Sequence, residues 1–191
     1  PLRHGRHTAP MNVLRQLPFL LLLPLALSVR AESSGLPTLE KISRTATINL
    51  GHRESSVPFS YYDGKRQVVG YSHDLMLAVV ERIRKEIKLP ALTVKLVPVT
   101  SQNRIPLLVN GTVDLECGST TNNSTRGKDV SFAINHFYTG TRLLAKKTSR
   151  IKNYADLENK TVASTSGTTN SQVMRKYNAD KKLNMQIILG K

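Results

Sequence analysis

Apolar residues at every fourth position, Leu75, Val79, Ile83 and Ile87, predict an amphipathic helix with those four on its buried face. Ser72 stands where a helix cap would, Asp74 suits the first turn, and Pro90 stops the run. Glu81 and Lys85 are spaced to pair on the solvent side. Residues 45–51, TATINLG, read as a strand ending in glycine, and Tyr62-Asp63-Gly64 as a turn. Residues 93–99, TVKLVPV, read as a strand in which Pro98 marks an edge or an end. A shorter helix near 103–110 tolerates Pro106 only in its first turn, which places Ser101 and Arg104 at its entrance. Asn110-Gly111 closes it, and residues 112–117, TVDLEC, form the next strand. Strand, helix, strand, helix, strand predicts an α/β domain with a mostly parallel sheet.

The pattern then begins again. Thr139 to Lys147 reads as a strand leaving the first domain, and 151–157 as a short helical connector. Residues 160–165, the turn Ser166-Gly167-Thr168-Thr169, a helix near 170–178 and the strand NMQIIL make the opening β-α-β unit of a second lobe. The expected division is a first lobe over 32–138, a hinge strand and connection over 139–150, and the start of a second lobe over 151–191. Residues 33–37 form a polar linker. Residues 11–31 carry Arg15, a short apolar core from Leu17 to Leu27 and Val29-Arg30-Ala31, the make-up of a secretory signal cleaved after Ala31. The apolar run falls well short of the ~20 residues a spanning helix needs. Residues 1–10, ahead of Met11, read as translated sequence upstream of the start.

Charge changes the picture little. The chain has 28 Lys+Arg against 13 Asp+Glu, and four of those arginines with none of the acids lie in residues 1–31. The rest are scattered. The densest group, Arg82, Arg84, Lys85 and Lys88, suits a solvated helix face. No basic block is interleaved with aromatics and there is no Trp, so nucleic acid is not an expected partner. Cys117 is the sole cysteine, which excludes an intrachain disulfide and any site built from cysteine pairs. It stands at a predicted strand end without a catalytic motif, so it is not expected to be a nucleophile.

Enzyme motifs find no support. His52, His73 and His136 lack metal-ligand spacing, and no Gly-x-Ser-x-Gly elbow occurs. Asp114 and Glu116 alternate on one strand, as a glycosidase pair would, but capping, pairing or solvent exposure is the preferred reading. The 166–169 turn is not a phosphate loop, because no Gly-Lys-Ser/Thr follows it. No catalytic residue, metal or cofactor is therefore expected.

Three arginines stand out. Arg53 follows the first predicted strand, Arg104 enters a helix, and Arg126 lies in the loop after Glu116-Cys117-Gly118-Ser119-Thr120-Thr121. Ligands of open α/β sheets collect at the carboxyl ends of the strands, where a guanidinium can grip a carboxylate through two parallel hydrogen bonds. Any one arginine alone is better read as a surface ion pair. Three on consecutive loops of one sheet edge shift that balance. Ser101, Ser119 and Thr121 add hydroxyl groups, and the 166–169 turn offers backbone N–H groups at a helix start.

The strings Gly51-His52-Arg53-Glu54-Ser55-Ser56-Val57-Pro58-Phe59, Val69-Gly70-Tyr71-Ser72, Ser101-Gln102-Asn103-Arg104-Ile105-Pro106, Glu116-Cys117-Gly118-Ser119-Thr120-Thr121-Asn122-Asn123, Gly140-Thr141-Arg142-Leu143-Leu144 and Thr165-Ser166-Gly167-Thr168-Thr169 resemble the bacterial glutamate/aspartate periplasmic binding proteins, from about Leu39 onward. The resemblance implies an α/β, two-lobed fold with a hinge, here with the second lobe incomplete and the first lacking its C-terminal return. It implies that Arg53, Ser101 and Arg104 hold a side-chain carboxylate. Ser119, Thr121 and Arg126 hold the amino-acid head group, with Thr169 closing from the second lobe and Thr168 beside it. By the same resemblance, further ligand residues are expected beyond Lys191. The expected function is a monomeric periplasmic protein that captures L-glutamate or L-aspartate and delivers it to the membrane permease of an ABC transporter. The alternative is an enzyme on the same scaffold, such as a cyclohexadienyl-dehydratase-like protein.

Overall fold

A computed structural model describes residues 37–190; the expected upstream residues, signal and cleavage point lie outside them. The architecture rests on two separate parallel sheets, each with its own apolar core. In the first, β1 (Thr47–His52) is flanked by β5 (Thr93–Pro98) and β6 (Leu115–Glu116). Register runs from Thr47 opposite Thr93 to His52 opposite Pro98, with Gly51 opposite Glu116 on the other side. Both pairings are parallel, so the carboxyl ends of all three strands share one edge. Pro98 is the last residue of an edge strand, where its missing N–H leaves no ladder bond unmade.

Helix α2 (Tyr71–Glu86) covers this sheet, but with a rotated face. Met76 and Val80 are buried with Ile42, Ile48, Leu50 and Leu92, and Ile83 and Ile87 pack against them. Val79, expected inside, is 47 % exposed. A step of four residues overshoots a 3.6-residue turn, so a strict every-fourth stripe drifts around the helix. The face that stays on the core runs 76, 80, 83, 87. Ser72 does not cap: Gly70 holds that position at φ 122°, where an added Cβ would lie 2.5 Å from the Phe59 carbonyl oxygen. The Ser72 hydroxyl instead donates to the Gly118 carbonyl at 3.0 Å, tying the helix start to the loop after β6. Glu81 pairs with Arg84 rather than Lys85, and Arg82 with Glu86.

Helix α3 (Arg104–Val109) places Pro106 in its first turn, as its missing donor requires. Two elements were not foreseen. Helix α1 (Thr38–Thr45) buries only Ile42, too little to leave a periodic signal. A small antiparallel sheet of β2 (Ser55–Ser56), β3 (Ser60–Tyr62) and β4 (Val68–Val69) turns at the predicted Tyr62-Asp63-Gly64 site. α1 is anchored by Lys41, whose Nζ lies 2.7 Å from Asp114 Oδ1; Asp114 Oδ2 accepts the Asn49 N–H at 2.8 Å.

The second unit pairs β7 (Thr161–Thr165) with β8 (Gln186–Gly190) in parallel, connected by α4 (Thr169–Lys181). Its core is Leu157, Met174, Leu183 and Met185. The expected strand over 139–147 is not formed. Its backbone runs without a ladder partner among the described residues, and a strand exists only through pairing. The connector tightens to a short 3₁₀ turn at Ala155–Leu157.

The Asp114 side chain is 2 % exposed, so its loss leaves Lys41 without its counter-charge, with only the Gly111 carbonyl, and the Asn49 N–H without its acceptor. Asp114→Ala is expected to lower stability by about 3 kcal/mol in urea unfolding. A loss under about 1 kcal/mol would instead place the pair among surface ion pairs.

Candidate functional site

Arg53 is the first residue beyond β1. Its backbone N–H donates to Ser60 Oγ at 2.9 Å, which fixes the chain as it leaves the sheet. Its Nε donates to Ser56 Oγ at 3.1 Å and its Nη1 to the Val99 carbonyl at 2.8 Å, so the side chain crosses from the end of β1 to the end of β5. Ser119 Oγ donates to Ser56 Oγ at 3.3 Å, which brings in the loop after β6. Arg104 opens α3 and is 2 % exposed. Its Nε and Nη1 are buried without a hydrogen-bond partner among the described residues. Burial pushes its pKa down to about 10; attraction to Glu116 opposes this, and repulsion from Arg126 and Arg53 adds to it. Ser101 is buried in the preceding loop. Arg126 donates from Nη1 to the Thr121 carbonyl at 2.9 Å and from Nη2 to the Gly167 carbonyl at 3.2 Å. Burial lowers the pKa of both Arg53 and Arg126, and Glu116 opposes the shift in each.

The turn of the second unit meets this cluster directly. Gly167 has φ +71°, and an added Cβ would lie 2.7 Å from the Ser101 carbonyl oxygen and 2.8 Å from the Gln102 backbone. Only glycine permits so close a seam. Gln102 Nε2 donates to Ser166 Oγ at 2.8 Å, and Thr121 Oγ1 lies 3.2 Å from Thr169 Oγ1. Arg53, Ser101, Arg104, Ser119, Thr121, Arg126 and Thr169 thus share one seam. Thr168 stands beside it, but its hydroxyl caps α4: it donates to the Thr165 carbonyl at 2.7 Å and accepts the Ser171 N–H at 3.2 Å.

Several participants escaped the sequence. Ser56, Ser60 and the Val99 carbonyl brace Arg53. Glu116, expected to cap, pair or face solvent, instead exerts an attraction on all three guanidinium groups. Asp114 does pair, with Lys41. His52 is a buried structural histidine edge-on to Tyr62, and His136 meets Ser72 at 2.9 Å. Burial, assisted by Glu116, raises the Cys117 thiol above its ordinary pKa, while Ser72 partly offsets the shift. A separate groove of about 460 Å³ between α2, β6 and residues 132–136 is large enough for a small solute. It contains none of the three arginines and is lined by Leu75, Val79, Cys117, Phe132 and Ile134 together with Arg82 and Glu116.

Two α/β units meeting across an arginine-lined seam define the class, a two-lobed protein with its polar site between the lobes. The chain belongs to the bacterial extracellular solute-binding proteins, family 3, whose pattern it matches over residues 48–188. It is 55 % identical over 154 residues to the glutamate/aspartate import solute-binding protein of Escherichia coli (strain K12), covering 81 % of this chain and 51 % of that one. It is 55 % identical over 155 residues to an L-glutamate/L-aspartate-binding protein of Pseudomonas aeruginosa, again over 81 % and 51 %. The chain therefore spans about half the length of the curated relatives it matches. Among solved structures, an ancestral amino acid-binding protein, a precursor of cyclohexadienyl dehydratase, aligns with a TM-score of 0.69 at 27 % identity. That alignment covers 81 % of this chain and 65 % of the other.

A buried guanidinium without partners destabilises the ligand-free fold. Arg104→Met is expected to raise the ligand-free melting temperature by roughly 2–4 °C, equivalent to about 1 kcal/mol, in scanning calorimetry. An unchanged or lowered value would show the charge to be already satisfied. With its pKa raised, the Cys117 thiol is expected to react with a disulfide reagent at pH 8 roughly tenfold more slowly than a free peptide cysteine. Equal rates would contradict the raised pKa of this half-buried thiol.

Proposed function

We infer that the complete protein captures an acidic amino acid, glutamate or aspartate, between its lobes and passes it to the membrane permease of an ABC transporter. The observation that carries this reading is the buried Arg104 guanidinium with free Nε and Nη1, flanked by Arg53 and Arg126. A carboxylate would supply both acceptors and charge, and a second carboxylate suits the remaining arginines. In this reading Arg53, Ser101 and Arg104 hold the side-chain carboxylate. Ser119, Thr121 and Arg126 hold the head group, and Thr169 closes with the 166–169 turn, Thr168 beside it. Residues 32–138 are the first lobe, 139–150 the hinge and 151–191 the start of the second. Ligand-driven hinge closure is a general property of two-lobed binding proteins. The names of the E. coli and P. aeruginosa relatives support the same ligand class.

The protein works as a monomer in the periplasm, exported by the signal at 11–31, and leaves its ligand unchanged. An enzyme on this scaffold draws support only from a distant structural likeness. Ligand recovered chemically altered would establish it.

Calorimetric titration of the full-length protein tests the assignment. Glutamate or aspartate is expected to bind at least about 100-fold more tightly than glutamine, since an amide leaves a buried charge unpaired. Arg53→Met and Arg104→Met are expected to narrow that gap, whereas Arg126→Met weakens every α-amino acid alike. Equal affinity for glutamate and glutamine in the parent would overturn the acidic ligand.

A further inference from the structure

Among the described residues, Glu116 is the carboxylate whose charge acts on Arg53, Arg104 and Arg126 alike. It stands opposite Gly51 in the β1–β6 ladder, and its side chain lies across that glycine: Cγ is 3.3 Å from where a Gly51 Cβ would be. At Gly118 the position of an added Cβ lies 2.9 Å from both Glu116 Oε1 and Arg53 Cγ, so the carboxylate lies close to the Arg53 stem. Oε2 accepts the Thr120 hydroxyl at 2.7 Å. Oε1 is buried and accepts no hydrogen bond among the described residues. No arginine approaches Glu116 within ion-pair distance among the described residues. Its charge is nevertheless an attraction felt by Arg53, Arg104 and Arg126 together. A direct ion pair would commit the carboxylate to one guanidinium and take that group's donors from a ligand. Held by Thr120 instead, Glu116 offsets the repulsion that Arg53 and Arg126 exert on Arg104 and takes no donor from Arg104 Nε or Nη1.

We propose that Glu116 is a specificity-determining residue: an internal carboxylate that sets the net charge of the arginine cluster and thereby how much negative charge a ligand can bring. Three guanidinium groups and one carboxylate leave two positive charges, against a ligand whose two carboxylates and one ammonium sum to one negative charge. The inference rests on the acidic-ligand reading for its ligand arm, while its second arm is independent of any ligand. The carboxylate field opposes the extra charge of glutamate over glutamine.

In the full-length protein, Glu116→Gln is therefore expected to widen the glutamate-to-glutamine affinity ratio by about threefold or more. Thr120→Val, which removes the hydrogen bond and keeps the charge, is expected to leave the ratio at the parent value. A ratio that stays constant or narrows in Glu116→Gln, or widens equally in Thr120→Val, overturns the proposal. The ligand-free arm is a double-mutant cycle on melting temperature. Glu116→Gln is expected to destabilise the parent more than the Arg104→Met protein, because one arginine fewer needs less compensation. Folding of the double variant when Glu116→Gln alone fails supports the proposal in the same way. Equal losses in both backgrounds, or failure of both to fold, overturn it. Should the parent bind neither acid, the acidic-ligand reading fails and this cycle still decides whether Glu116 compensates the cluster.

Discussion

Parallel pairing on both sides of β1 is the constraint from which the site follows. Because β5 and β6 run in the same direction as β1, the chain leaves all three strands at one edge. The loops that follow carry Arg53, then Ser101 and Arg104, then Ser119, Thr121 and Arg126. An antiparallel strand would send one of these loops to the opposite end of the sheet. The side chains then reach across strand ends, as when Arg53 donates to the carbonyl of Val99. Geometry set by backbone hydrogen bonds thus concentrates like charge at one place.

That concentration opposes folding, and the structure answers it locally. Arg53 and Arg126 spend donors on backbone carbonyls, which holds the side chains without consuming a negative charge. Arg104 makes no such bond through Nε or Nη1. The cluster is left incomplete at one guanidinium, and a buried donor without a partner is the group with most to gain from an acceptor. Glycine serves the same end from the other lobe. At Gly167 the lack of a side chain lets the backbone of one unit rest on that of the other, and the Gly167 carbonyl becomes an acceptor for Arg126.

The helix α2 shows how a correct element can carry a wrong face. Its existence and its stop near Pro90 were legible, because apolar spacing and proline act within a few residues. Which side turned inward was decided by the sheet beneath, which accepts Met76 and Val80 and leaves Val79 to solvent. Ser72 makes the same point. Its local chemistry favours a cap, yet Gly70 takes that place because only glycine fits under the Phe59 carbonyl, and the serine bonds the loop after β6 instead.

By itself the sequence determined the alternation of strands and helices, the parallel sheet, the positions of Arg53, Arg104 and Arg126 at strand and helix boundaries, and the turn at 166–169. Each of these depends on residues near one another in the chain, where periodicity, proline and glycine act directly. Only the tertiary structure decided that Ser56 and Val99 brace Arg53, that Thr168 caps rather than faces the seam, and that Glu116 lies within the field of three arginines. Glu116 and Arg53 are more than sixty residues apart, and no local pattern encodes a contact whose partner is brought in by a strand ladder. The unformed strand over 139–147 has the same cause, since pairing belongs to the sheet and not to the segment.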